Sequence, residues 1–375
     1  MKILVLTTAR EDAVQSALEA AGFLMNPAAQ AFHLKLIETL SIQNDLSIAS
    51  LLPKGAKRDT LKQNTFHYLN YPKSLLFKPF RSFILWRQIK ALHLPQPDLI
   101  IYDSLNVSLA GCSKICRDKF SCPRVAILTD DPRNLTGVPH LYKQKVLSLS
   151  KKAEATLSVA SNLNNVITKN RAKCLVFEGL IRENIAKPIP SSCGDFIFFG
   201  GALYERYGVK TLIEAYLRSE LKTPLVIAGH GPLKEEIESL ASKDSRLIFL
   251  GKISQSEYTK LTNQACLLIN PRPYDKELDP LCIPSKMIEY LASGKPIVSL
   301  VSTRLKELFP NDVEWILPGE KDGLDSFFSA HCDDQGKLIN LKENKAKEKA
   351  LSLYGQSHLA DKIQSFLTEI KTCSK

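Results

Sequence analysis

A chain of 375 residues that is 44% apolar and 24% charged has the make-up of a globular protein and enough length for two domains, each with its own core. No stretch approaches the ~18–20 apolar residues of a membrane-spanning helix. Nine scattered cysteines with no CxxC pair, and seven histidines with neither HxxxH nor HExxH spacing, argue against a disulfide framework and against a dedicated metal site. The net charge of +11 is local, because residues 51–90 carry nine Lys/Arg against one acid and so account for +8 of it.

The opening MKILVLTTAREDA has an apolar run too short for a secretory signal and reads as a first buried strand, which with the thiol pattern predicts a cytoplasmic chain. Short β-rich runs then alternate with helical patterns. In the first half they fall at 2–8, 46–52, 97–103, 124–130, 155–160 and 174–180. A polar, proline-bearing stretch at 185–195 interrupts the series, which restarts at FIFFGG (196–201) and continues at 224–229, 246–251, 265–270, 296–300 and 313–317. Near-continuous apolar strands separated by helices imply parallel sheets covered on both faces. The expected fold is therefore α/β, with two Rossmann-like domains and a cleft between them onto which the C-terminal ends of both sheets open. Expected bounds are 1–185 and 186–355, with a closing amphipathic helix over 356–375 that packs back toward the first domain.

The second half carries the chemistry. FIFFGG is followed by ALYERYGVKTLIEAYLRS, a glycine turn feeding a helix, whose amides and dipole suit a phosphate. Arg206 sits where a diphosphate could be clamped. In VIAGHGPLKEEIESL, Gly229 and Gly231 lie between a strand and a helix, with His230 between them and Pro232 at the first helical turn. A third segment runs from strand ACLLIN through Arg272 to CIPSKMIEYLASGKPIVSL. There Pro284 fits a helix start, Ser285 can cap, Lys286 adds charge beside amide donors, and Glu289 falls one turn in on nearly the same face as Ser285. A carboxylate so placed can accept the two hydroxyls of a ribose. Each loop alone has an ordinary explanation: a solvated arginine, a tight turn or a local ion pair. The ordered set is what points to a nucleotide.

With Gly-Gly…YGVKTLIEAY, VIAGHGP, IFLGKIS and PSKMIEYLASGKPIV in that order, residues from about 195 to 320 resemble the donor-binding domain of GT-B glycosyltransferases, in particular the large retaining group called family 4. The first half matches more loosely. The resemblance implies a nucleotide-diphosphate-sugar donor bound by Gly201, Arg206, Gly229, His230, Gly231, Arg272, Pro284, Ser285 and Lys286. Glu289, the second glutamate of an E-x7-E motif, would hold the ribose, and the backbone around Lys252 and Ile253 would read the base.

Several positions depart from the family pattern. The first glutamate of E-x7-E falls at Leu281, for which Glu277 or Asp279 could stand in. The usual Arg and Lys of the first glycine loop fall at Ala202 and Tyr207, which leaves Arg206, Lys286 and Arg272 to meet the diphosphate. Ala28 and Ala29 occupy the first domain's Gly-Gly loop, and His33 falls where many members carry a histidine. A further histidine is replaced near Thr129, where Asp130 becomes a candidate acceptor-side group. Asp130, Arg206 and Lys286 are thus the candidates for the reacting centre. No D-x-D occurs, so the implied mechanism is free of metal and cofactor, with cations and helix amides stabilising the leaving diphosphate.

The basic block remains. YPKSLLFKPFRSFILWRQIKAL (71–92) interleaves Lys73, Lys78, Arg81, Arg87 and Lys90 with Phe77, Phe80, Phe83 and Trp86. Cations beside large aromatics suit an anionic membrane surface better than nucleic acid, for which no motif accompanies the charge; an ordinary helix with an apolar inner face is the plainer alternative. The composite expectation is a glycosyltransferase peripherally attached to the inner face of the cell membrane, moving sugar to a glycan or lipid-linked acceptor in surface-polysaccharide synthesis. Two rivals share the fold: a non-catalytic partner subunit, suggested by Leu281, Ala202 and Tyr207, and a nucleotide-sugar 2-epimerase.

Overall fold

The computed structural model describes residues 1–23, 27–56, 66–71, 80–135, 138–169, 171–182, 195–275, 283–317 and 323–373, and of residues 27–29, 134 and 161 only the backbone. The chain divides into two compact units. One comprises Met1–Leu180 with Gln356–Lys375 and the other Ile181–Gly355.

The first unit holds a parallel sheet of β1 (Lys2–Thr7), β2 (Asp45–Leu51), β3 (Phe66–Leu69), β4 (Leu99–Asp103), β5 (Arg124–Leu128), β6 (Ala155–Ser158) and β7 (Lys173–Val176), in the order 3-2-1-4-5-6-7. Alternation along β1 sends Ile3 and Val5 to one face and Leu4 and Leu6 to the other, and all four are almost fully buried. Helices Pro27–Ser41 and Gln356–Cys373 cover the first face, where Leu359, Ile363, Leu367 and Ile370 join the core at helical spacing. Helices Arg81–Lys90 and Val107–Phe120 cover the second. They approach closely because residue 111 is glycine: a Cβ there would lie 2.2 Å from the Ser82 hydroxyl. Strand β3 was not expected from the sequence. Its four residues, FHYL, form the sheet's edge beyond β2 and are too few to show a period.

The second unit repeats the plan with β8 (Ile197–Ala202), β9 (Leu225–His230), β10 (Leu247–Phe249), β11 (Leu267–Asn270), β12 (Ile297–Leu300) and β13 (Glu314–Ile316), all parallel, in the order 10-9-8-11-12-13. Ile197 and Phe199 face one core and Phe198 the other. In each sheet the strand order reverses once, beside β1 in the first and beside β8 in the second, and loops leaving the strands there are where open α/β sheets take ligands. Among the described residues no helix is long and apolar enough to cross a membrane, and the seven described cysteines form no disulfide.

Candidate functional site

Four sequence-distant pieces meet at the reversal point of the second sheet. Strand β8 ends in Gly200-Gly201, and the Lys286 side chain lies directly on the second of these: a Cβ on Gly201 would fall 1.9 Å from the lysine Nζ. The ammonium stands 4.3 Å from the centroid of the Phe199 ring, a cation–π contact. Lys286 is half-buried. Burial brings its pKa down to about 8; the Glu289 charge pushes it back up, and Arg272 pushes it down again. Those influences place Glu289, Arg272 and Lys286 in one electrostatic neighbourhood.

The loop after β8 runs through a 3-10 turn, Glu205–Tyr207, into helix Val209–Arg218. Gly208 makes the junction with φ +74°, and its Cα faces the Pro271 carbonyl, from which a Cβ would be only 1.9 Å away. The first glycine loop and the loop after β11 are thereby pressed together. Tyr207 joins them: the Arg206 guanidinium lies 5.0 Å from its ring centroid and the Arg272 guanidinium 5.8 Å. Arg206 is exposed, donates to the Tyr207 hydroxyl at 3.2 Å and also packs over Tyr204. The residue that departs from the expected lysine is therefore the ring on which two arginines rest.

Helix Ser285–Ser293 supplies the fourth piece. Its N-cap position is Pro284, with no side-chain capping bond, so the expectation that Ser285 caps is corrected: Ser285 is already the first helical residue and its side chain is exposed. Proline has the fixed φ of a helix entrance but no side-chain acceptor for the first amides. Glu289 is half-buried while its helix neighbours Met287, Ile288 and Tyr290 are buried, so it lies at the edge of the packed face. It stands close enough to Tyr258 that, after burial and Tyr290, its charge helps hold that phenol well above its ordinary pKa. Tyr258 and Phe199 were not singled out in the sequence, because contact between segments distant along the chain leaves no local signal, and Tyr207 was named only as the residue in place of the family's lysine.

His230 and Lys252 belong to a neighbouring concavity of about 430 Å³ at the ends of β9 and β10, with Gly229, Gly251, Lys234 and Phe249 also on its wall. The Gly229 amide donates to the Gly251 carbonyl at 2.7 Å, which ties the two loops together, and Gly231 packs its backbone on Leu203. Ile253 is half-buried and lies against the inner core rather than on this wall. Leu281, Glu277 and Asp279 lie outside the described residues.

In the first unit, Asp130 is an exposed acid past β5 that accepts the Asp131 amide at 2.7 Å. The buried carboxyl is its neighbour. Asp131 is desolvated, which pushes its pKa up, but Arg133 holds it below the ordinary value through two short bonds and a backbone donor. His33 is buried, with Nδ1 3.2 Å from the Thr7 hydroxyl; burial pushes its pKa down against the pull of Asp103. The basic helix needs one correction. Trp86 is not a surface anchor: with Leu85 and Ile89 it forms the inner face, edge-on to Phe120 at 5.3 Å. The exposed stripe is Phe80, Phe83, Arg87 and Lys90, three or four residues apart, with Phe80 59% and Phe83 51% exposed. Arg81 is half-buried and donates to the Tyr71 hydroxyl at 2.9 Å. Lys73 and Lys78, like Phe77, fall outside the described residues. Among the described residues no three His, Cys, Asp or Glu side chains gather as metal ligands would.

Residues 194–332 match the family model for Glycosyl transferases group 1. No curated protein sequence matches significantly. Among solved structures, Anabaena Alr3699/HepE in complex with UDP aligns with a TM-score of 0.68 at 16% identity, over 98% of this chain and 100% of that one. Sucrose-phosphate synthase from Thermosynechococcus elongatus gives 0.68 at 12% identity, with all of both chains covered. UDP-GlcNAc 2-epimerase from Neisseria meningitidis bound to UDP-GlcNAc gives 0.56 at 13%, over 98% and 100%. The chain has the GT-B fold, and within its second unit residues 194–332 are similar to the Glycosyl transferases group 1 domain.

Proposed function

We propose that this protein is a retaining glycosyltransferase that moves a sugar from a nucleotide-diphosphate donor to a glycan or lipid-linked acceptor, in the synthesis of a surface polysaccharide at the inner face of the cell membrane. The observation that carries the reading is the packing of Lys286 on Gly201 with Arg272 and Glu289 in the same electrostatic neighbourhood, at the start of a helix without a side-chain cap. A diphosphate there would meet Lys286, Arg272 and the helix amides, with Arg206 nearby on the shared Tyr207 ring. Glu289, one turn in, would take the ribose hydroxyls, and the concavity beside Gly229 and Lys252 has room for a base.

The reaction breaks the bond between the anomeric carbon and the diphosphate oxygen. The acceptor oxygen bonds to that carbon on the same face, and its proton passes to the leaving diphosphate. Negative charge grows on the leaving group, where preorganised cations and amides lower the barrier most; we assign this task to Lys286, Arg272 and Arg206 without a metal ion. Asp130 is assigned to the acceptor side. The exposed stripe of Phe80, Phe83, Arg87 and Lys90 fits attachment to an anionic lipid surface.

A thermal-shift panel of UDP, GDP, ADP and CMP tests the reading, since a ligand raises the melting temperature only of a fold that binds it. One nucleoside diphosphate is expected to stabilise the chain, and its sugar conjugate to be consumed only when a membrane-lipid or glycan fraction is added. Conversion of the donor alone to an epimer would make the protein an isomerase, and no stabilisation by any of the four would overturn the assignment.

A further inference from the structure

The first unit has a pocket of its own at the point where its strand order reverses. It occupies about 280 Å³ and is lined by Thr8 and Arg10 after β1, Lys54 after β2, Asn106 after β4, and Tyr71 and Arg81 beside them. Of its described lining residues, three are cations and none is an acid. Arg10 is only 7% exposed and is set in place by its guanidinium bonds to the Gln15 side chain at 3.3 Å and the Leu51 carbonyl at 3.2 Å. Arg81 lies 4.7 Å from the Tyr71 ring centroid, and its buried Nε has no hydrogen-bond partner among the described residues. Lys54 is exposed at the mouth. Two carboxylates near the lining residues in sequence have other duties: Asp103 accepts from the Thr8 hydroxyl and the Leu105 amide, and Glu11 accepts from Tyr68.

The buried Nε of Arg81, without a partner among the described residues, and the second cation Lys54 at the mouth make this small cavity a favourable place for an anion. Guanidinium groups match the paired oxygens of a phosphate in bidentate fashion, and the cavity has room for a phosphoryl group with part of a sugar, though not for a whole nucleotide. We propose that this pocket binds a phosphate or diphosphate carried by the acceptor, with Arg10 and Arg81 on its oxygens and Lys54 closing the mouth. The proposal rests on reading the second unit as the donor site. The phosphate could belong to a lipid carrier or to a water-soluble sugar phosphate.

The test is calorimetric titration of the full chain with inorganic pyrophosphate, with UDP present at saturation to occupy the other site. Saturable binding that weakens with added salt is expected, falling about tenfold or more in Arg81→Gln and in Lys54→Gln, with Arg81→Lys recovering part of the loss. UDP affinity should stay unchanged in all three, which separates this site from the donor site; failure of UDP to bind would instead overturn the donor reading. Arg10→Gln is a supporting variant only, because Arg10 is buried. No saturable pyrophosphate binding, or equal binding by wild type and variants, would overturn the proposal. In competition arms, displacement by vesicles containing a polyprenyl phosphate but not by neutral vesicles identifies a lipid source, and displacement by glucose 1-phosphate a soluble one. Displacement by neither would overturn the acceptor role.

Discussion

The two sheets have the same strand order around their reversal points and yet build their rims from opposite materials. Strand β8 ends in Gly-Gly, so the rim of the second unit is backbone, and a lysine from a helix 85 residues later lies upon it. Strand β1 ends at Thr7 and is followed by Thr8-Ala9-Arg10, so the rim of the first unit is made of side chains. Topology fixes where a ligand sits but not the groups that greet it. A bare rim lets a diphosphate approach amides closely; a furnished one offers fixed cations to a smaller anion.

The largest expected effect breaks the bare rim. Gly208→Ala places a Cβ against the Pro271 carbonyl in a left-handed conformation, and should cost about 3 kcal/mol of stability in urea unfolding. On the other rim Thr8→Ala removes a hydroxyl bond to Asp103 and should cost about 1 kcal/mol. Equal losses would mean that the rims do not differ as described.

Next in size is the charge on the bare rim. Lys286→Met should weaken UDP binding about 10–100-fold by calorimetry while leaving pyrophosphate binding at the first unit intact. The same lysine gives a pH signature. An ordinary lysine keeps its proton to about 10.4, whereas burial lets Lys286 lose it at about 8. Wild-type affinity for UDP should therefore decline as pH rises above about 8, and Lys286→Met should lack that decline. In the ligand-free protein the sign is reversed. Between about 8 and about 10.4 the unfolded chain holds a proton that the folded one has released, so this group's contribution to stability grows with pH across that window.

The smallest effect concerns the exposed stripe. Phe83→Ser with Arg87→Ser should reduce sedimentation with anionic vesicles about fivefold, at roughly 1 kcal/mol per lost charge. Identical binding to neutral vesicles would remove the membrane from the account.

Much of this plan was legible in the sequence because parallel strands buried on both faces leave unbroken apolar runs. Every strand but one fell within or beside such a run; β3 escaped because FHYL is short and follows a basic, polar stretch. At the site, Lys286 and Glu289 were legible because a helix start and a one-turn spacing are local patterns. The aromatic floor of Phe199, Tyr207 and Tyr258 was not, since contact between distant segments leaves no periodic trace. Trp86 misled for a related reason. A tryptophan between arginines looks amphipathic in print, and only the helix's rotation, which sets Leu85, Trp86 and Ile89 on one side, decides that the ring goes inward.

Because the helix Gln356–Cys373 fills a face of the first unit's core, that unit is assembled from two segments that flank the other unit in sequence. The second unit is continuous in sequence, whereas the first needs Leu359, Ile363, Leu367 and Ile370 from beyond it to cover one face of its core. A premature stop codon near residue 355 would damage the part made first and spare the part made second.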